Sequence, residues 1–224
     1  MVPRAISDQE EFVSDAFLTF PMRVKTLITD LYVTWIGMHS LICGRKPAES
    51  EAIILSFSEI LKLKDLKGVY TLVILVKSTF PLRIGGLGEW LIKRGIYTYT
   101  GSALGRGSTD LAGRISRHLR MNKRRKWHID YLLCSGKASI EAALMFITED
   151  RMECNVNQHL IKSLNPTIPI PNFGSSDCNM GCRSHLLYFG SELPCDILVR
   201  KICRLYLQMG EGEVFVLIKD KRHA

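Results

Sequence analysis

Between Arg114 and Lys126 the chain reads "RISRHLRMNKRRK", in which Arg114, Arg117, Arg120, Lys123, Arg124, Arg125 and Lys126 are cationic and nothing is acidic. Just before it stands "GIYTYTG" (95–101), with two tyrosines two residues apart, and the run leads into "KWHID", which brings Trp127 and His128. Residue types of this kind can hydrolyse a phosphodiester. That reaction needs a water relieved of a proton, positive charge at the phosphate and help for the leaving oxygen. A tyrosine beside cations can have its pKa lowered far enough to act as a base. An arginine can hold two phosphate oxygens at once, and one carboxylate can hold a Mg2+ that polarises the phosphate. Tyr70, Tyr97, Tyr99, Arg114 and His118 supply the first two parts; on a helix Arg114 and His118, four apart, share a face with Arg117 beside them. Glu153 is the acid at helical spacing in the following segment, with Glu141 and Glu149 as alternatives.

Other chemistries fit less well. A phosphate-cradling loop of the G-x4-G-K-S/T kind needs a lysine that reaches the terminal phosphates; Gly101 and Gly107 are separated by five residues and Ser108 follows directly. The dinucleotide pattern G-x-G-x-x-G fails as well, because Gly105-Arg106-Gly107 leads to Asp110 and Gly86-Leu87-Gly88 to Leu91. Cys178, Cys182, His185 and Cys195 form C-x3-C-x2-H-x9-C, the ligand types of a structural Zn2+ site without the spacing of a standard finger. His128 and Asp130 alternate on what reads as a strand and so share a face, most simply as a hydrogen-bonded pair. Cys154, beside Glu153, reads as a small buried hydrophobe.

These residues need elements to position them. Val69 to Val76 in "KGVYTLVILVKS" is almost entirely β-branched, aromatic or leucine, a buried strand. "FPLRIGGLGEW" (80–90) is turn and short-strand material, and "RGIYTYTG" (94–101) alternates as a strand that places Tyr97 and Tyr99 on one face and ends at Gly101. Asp110 is a helix cap before "LAGRISRHLR" (111–120). "KWHIDYLLC" (126–134) reads as a strand and 139–164 as long helical material; "NPTIPIPNFGSSD" (165–177) is loop. "SHLLYFG" (184–190) and "GEVFVLIKD" (212–220) read as strands flanking the helix "DILVRKICRLYLQM". The first 66 residues read as a helical extension, with helical spacing in "EEFVSDAFLTF" (10–20) and in "SEAIILSFSEILKLKDL" (50–66), where Ser50 would be the cap.

Thirty Lys and Arg against 22 Asp and Glu give a net charge of +8 over 224 residues, nearly all of it reproduced in the one basic segment, which favours a polyanionic partner. A charge run alone is a solvated face; this one follows a tyrosine strand and has an aromatic interleaved, as nucleic-acid grooves do. Seven scattered cysteines without a leading signal peptide suit a reducing compartment, the cytoplasm. The apolar run "LYVTWIGMHSLIC" (31–43) is too short to span a bilayer, so no membrane partner is expected.

"GVY" (68–70), "YTG" (99–101) with "SALG" behind it, and "LAGRISRHL" (111–119) resemble the GIY-YIG nuclease superfamily, and the longer text, including "KWHIDYLL", "MEC" and "FGSSDC", is similar to its Uri-type branch. The resemblance covers about residues 67–190. It implies an α/β (α+β) domain, a small antiparallel sheet flanked by helices, with 1–66 and 191–224 as additions. It also implies a DNA endonuclease that uses Mg2+ or Mn2+. Tyr70, the general base, and Tyr99 would lie on adjacent strands, Arg114 would clamp the scissile phosphate and His118 would assist in proton transfer. Glu153 would bind the metal, and Gly101 would let the backbone turn beside the substrate. Ser102, Arg117, Arg120, Arg124, Arg125, Lys126, Trp127 and His128 complete the expected substrate-binding group. Val69 and Thr100 replace the isoleucines of the family's name, and the family's later asparagine has no counterpart beyond the neighbourhood of Asp177. A competing reading keeps the shape as a non-catalytic nucleic-acid-binding module; a third is an RNA-processing or repair accessory factor, since RNA would meet the same basic segment.

Overall fold

A nine-residue run buried at eight positions, Gly68–Val76, is the central strand of the molecule. The structure, a computed structural model, describes residues 24–26, 52–176 and 178–219. In chain order the strands are β1 (Val24–Thr26), β2 (Ala52–Ser56), β3 (Gly68–Val76), β4 (Phe80–Arg83), β5 (Glu89–Ile92), β6 (Gly95–Ala103), β7 (Ala138–Ile147), β8 (Leu186–Tyr188) and β9 (Val214–Ile218). The helices are α1 (Leu111–Leu119), α2 (His128–Leu133), α3 (Glu153–Leu164) and α4 (Cys195–Leu207).

Seven strands form one sheet in the order β1-β2-β9-β7-β3-β6-β8, and β4 and β5 form a separate hairpin. The five strands from β9 to β8 are antiparallel, while β1, β2 and β9 run parallel at the other edge. The α/β class with a helix-flanked sheet is therefore what the chain adopts, in a larger and mixed sheet. Alternation along β3 feeds two cores. Tyr70, Leu72 and Ile74 pack with Leu111 and Ile115 of α1 and Ile129 and Leu132 of α2, whereas Val69 and Val73 pack with Val156 and Leu160 of α3 and Ile202 and Tyr206 of α4. β9 lies inside the sheet, between β2 and β7, so residues beyond 190 share these cores.

Three stretches differ from their sequence reading. Residues 138–147 are β7 rather than helix. Its Ala142, Leu144 and Phe146 enter one core and Ala143 and Met145 the other, and a strand buried on both faces loses the period that would identify it. Residues 128–133 are helix rather than strand, with Ile129, Leu132 and Leu133 at the spacing that puts them on one buried face. Residues 52–63 are β2 followed by a 3-10 helix, Phe57–Leu63, and not an α-helix. Pairing of β2 with β9 overrides local spacing there, and the Ser56 N–H donating to Glu59 Oε2 at 3.0 Å starts the turn. The helix read over 10–20, the Ser50 cap and Asp177 lie outside the described residues.

Among the described residues no helix is long and apolar enough to cross a membrane.

Candidate active site

Tyr70 lies opposite Gly101 in the β3–β6 register, and Tyr99 lies opposite Leu72, so the two tyrosines project from neighbouring strands to the same face. β8 pairs only with Tyr97–Tyr99, so from Thr100 onward no strand of the described residues covers the outer edge of β6. A cleft of about 280 Å³ opens there. Tyr70, Tyr99, Gly101 and Ser102 line it from the sheet, Arg114 from α1, Lys126, Trp127 and His128 from the start of α2, and Glu153 from the first turn of α3. The strand does not end at Gly101; it continues to Ala103. The glycine is needed because a Cβ at residue 101 would lie 2.6 Å from Tyr70 Oη, inside contact distance.

Asp110 fixes the start of α1: its Oδ1 accepts the Gly113 N–H at 2.7 Å and its Oδ2 the Asp65 N–H at 3.0 Å. That cap orients the turns carrying Arg114 and His118. The Arg114 guanidinium stacks on the Trp127 ring at 4.5 Å, and Arg117 lies 4.4 Å from the same ring. Trp127 thus acts first as a platform for the chain's own arginines. Arg114 Nε and Glu153 Oε2 are buried at the site without a hydrogen-bond partner, one donor and one acceptor left for something else.

Behind the cleft, Tyr70 Oη lies 2.8 Å from His118 Nε2, both side chains buried. Burial, then the nearby Tyr99, pushes the Tyr70 pKa well above the ordinary tyrosine value against the pull of Arg114. The expectation that cations lower it into the range of a base is therefore corrected: desolvation wins. Burial also pushes His118 down to about 3, with Lys123, Arg117 and Arg114 adding to the shift, so the imidazole is neutral. A neutral phenol and a neutral imidazole thus share one hydrogen bond, whose direction follows the imidazole tautomer.

The remaining basic residues divide. Arg117 donates to Asp130 Oδ2 at 2.8 Å and to the Arg124 carbonyl at 3.1 Å, and Asp130 also accepts the N–H groups of Lys126 and Trp127 at 2.9 Å each. Arg117 is thereby turned into the fold, not the cleft. Lys123 Nζ donates to the carbonyls of His118 and Arg117 at 2.8 and 3.1 Å, closing the C-terminus of α1. Arg120, Arg124 and Arg125 are exposed outside the cleft, the last two beside Lys126. His128 and Asp130 do not pair; on a helix they point apart, and His128 Nδ1 accepts the Gly174 N–H at 3.1 Å, leaving its Nε2 as the proton-bearing nitrogen of the neutral ring. Burial lowers the His128 pKa.

Among the described residues Glu153 is the one acid that lines the cleft. Glu141 accepts from Ser139 Oγ and lies 3.3 Å from Lys219, and Glu149 pairs with Lys67 at 3.1 Å. Sequence reasoning missed Thr100, Gly174 and Ser176 as lining residues, and placed His185 only among metal ligands although it also lines the cleft. The signal for Gly174 is its left-handed φ of +72°, which lets the loop cross within contact distance of the Tyr99 ring.

The family model that fits this chain, described as "Domain of unknown function DUF123", matches residues 69–206. The chain belongs to that family. The DUF123 match runs from Val69, beside Tyr70, to Tyr206, so it encloses every residue of the cleft, and it stops short of β9. No curated protein and no solved structure matches the chain. The description of DUF123 carries no activity, so chemistry rests on the cleft itself.

Proposed function

We propose that this DUF123 protein is a divalent-metal-dependent endonuclease of the GIY-YIG kind that hydrolyses phosphodiester bonds in DNA. One observation carries the reading: Arg114 Nε and Glu153 Oε2 are both buried and unpartnered at one cleft that Tyr70 and Tyr99 also line. An unpartnered donor and an unpartnered acceptor on two residues that line one cleft suit a phosphate on the first and a cation on the second.

The donor set fits Mg2+ or Mn2+, which take one carboxylate and keep several waters. Glu153 would hold the ion, and when bound the ion supplies charge neutralisation at the phosphate and a more acidic water. Arg114, held over the Trp127 ring, would present its guanidinium to two phosphate oxygens. Tyr70 stays protonated beside His118, and the oxygen of this neutral phenol on the cleft lining can accept a hydrogen bond from the attacking water and aim it. Lys126 and the Nε2–H of His128 add donors along the strand's path. Hydrolysis breaks one P–O bond, water supplies the oxygen that replaces it, and the leaving oxygen takes up a proton.

The test is incubation with supercoiled, nicked and branched DNA in Mg2+, in Mn2+ and in EDTA, alongside Arg114→Ala and Glu153→Gln. Metal-dependent cutting lost in both variants supports the proposal. A wild type that binds DNA but never cuts it would leave the non-catalytic binding module standing, and variants that cut as fast as the wild type would remove the mechanism. RNA of the same sequence in a parallel arm separates the two nucleic acids.

A further inference from the structure

Residues 165–185 join α3 to β8 with no helix or strand among the described residues, apart from one bridge between Thr167 and Tyr188. A loop of that length inside a packed domain calls for something that holds it. Three cysteines and a histidine meet where it crosses α3: the Sγ atoms of Cys154, Cys178 and Cys182 and a ring nitrogen of His185 all lie within 4.8 Å of one another. Cys154 Sγ is 3.3 Å from Cys178 Sγ and 3.8 Å from His185 Nε2. A disulfide needs about 2.05 Å, whereas two sulfurs on one tetrahedral zinc, each at about 2.3 Å, stand about 3.8 Å apart.

We propose that Cys154, Cys178, Cys182 and His185 Nε2 bind a structural Zn2+ that staples this loop to the first turn of α3. The ligand set joins three soft thiolates and one imidazole, close enough together to share one ion, a combination that suits zinc. Three thiol protons leave on binding, and four protein ligands close the site to substrate. Donors reach two of the sulfurs: Gln158 Nε2 donates to Cys182 Sγ at 3.7 Å, and the backbone N–H groups of Cys182 and Met180 are directed at Cys178 Sγ. Cys195, the fourth ligand suggested by spacing, opens α4 and is not part of the cluster; Cys154, next to Glu153, takes its place. The ion would therefore hold Gly174, Ser176 and His185 as one wall of the cleft and fix the turn from which Glu153 projects. The site stands whether or not the protein is a nuclease.

The full chain, purified under reducing conditions from zinc-containing medium, is assayed for metal by elemental mass spectrometry. One zinc per chain is expected, lost in Cys178→Ser and Cys182→Ser and kept in Cys195→Ser. Should the ligand variants fail to fold, the wild type decides: stripping with a chelator lowers its melting temperature, zinc restores it, and Co2+ gives the visible bands of a tetrahedral thiolate complex. Metal-free protein that takes up no Co2+, a Cys154–Cys178 disulfide found by peptide mapping, or bound iron in place of zinc would each overturn the proposal. So would a Cys182→Ser protein that keeps its zinc.

Discussion

Tyr70 Oη and His118 Nε2 share a hydrogen bond of 2.8 Å between two buried side chains, so a neutral phenol is locked to a neutral imidazole. The Nδ1 of His118 is buried without a partner, so this is the ring's one side-chain hydrogen bond, added to its packing against Tyr99 and Trp127. Tyr70→Phe should leave Nε2 unpaired and cost about 1–3 kcal/mol of unfolding free energy. On the proposed function it should also slow DNA cleavage with little change in DNA affinity. Urea unfolding and single-turnover nicking measure the two effects; a Phe variant of undiminished stability would mean that the bond contributes nothing.

The His118 pKa of about 3 has a consequence for stability, because an unfolded histidine titrates near 6.5. Between those values the unfolded chain binds the extra proton and the folded one does not. Stability is therefore full above about pH 6.5 and falls as pH drops toward 3, by up to about 1.4 kcal/mol per unit from this group. Between pH 7 and 5.5, where the ordinary carboxylates are still ionised, the urea midpoint of the wild type should fall. The slope should flatten in His118→Gln. Equal slopes in the two proteins would contradict a buried neutral histidine.

Much of this site was legible before any coordinates, for a physical reason. Tyr70, Tyr99 and Arg114 each sit on an element whose local pattern or cap is strong, such as the β-branched run of β3 or the Asp110 cap of α1, whereas Glu153 opens α3 behind an uncapped Met152. What was not legible depends on partners distant in sequence. Only the sheet shows that 138–147 is a strand buried on both faces, and only the loop's path brings His185 and Gly174 against Tyr99. Arg117 illustrates the same limit: it looks like one more surface cation until Asp130, thirteen residues on, is found buried beneath it.

Gly101→Ala should act through Tyr70. The added methyl would sit 2.6 Å from Tyr70 Oη and 2.8 Å from Cζ, so the ring that bonds His118 must shift. Overpacking of this kind costs about 1–3 kcal/mol. Its origin can be isolated in a double-mutant cycle, since Tyr70→Ala removes the atoms that the methyl would crowd and most of the penalty should vanish. Additive penalties would show that the crowding lies elsewhere.

The basic segment should divide into cations that meet DNA and cations that hold the fold. Arg124, Arg125 and Lys126 are exposed, whereas Arg117 is bonded to Asp130, itself fully buried. Each exposed cation that neutralises a duplex phosphate should contribute about 0.9 to the slope of log K against log salt. Arg124→Ala and Arg125→Ala should each lower that slope with little change in melting temperature. Arg117→Ala should do the opposite. Removing it strips the nearest charge partner from a buried carboxylate, a loss on the order of 3 kcal/mol in stability, softened by Lys123 at 3.8 Å and the two backbone N–H groups. DNA titrations at several salt concentrations, paired with thermal unfolding of the same variants, would distinguish the groups. An Arg117→Ala protein of native stability with a reduced salt slope would return that arginine to the binding surface.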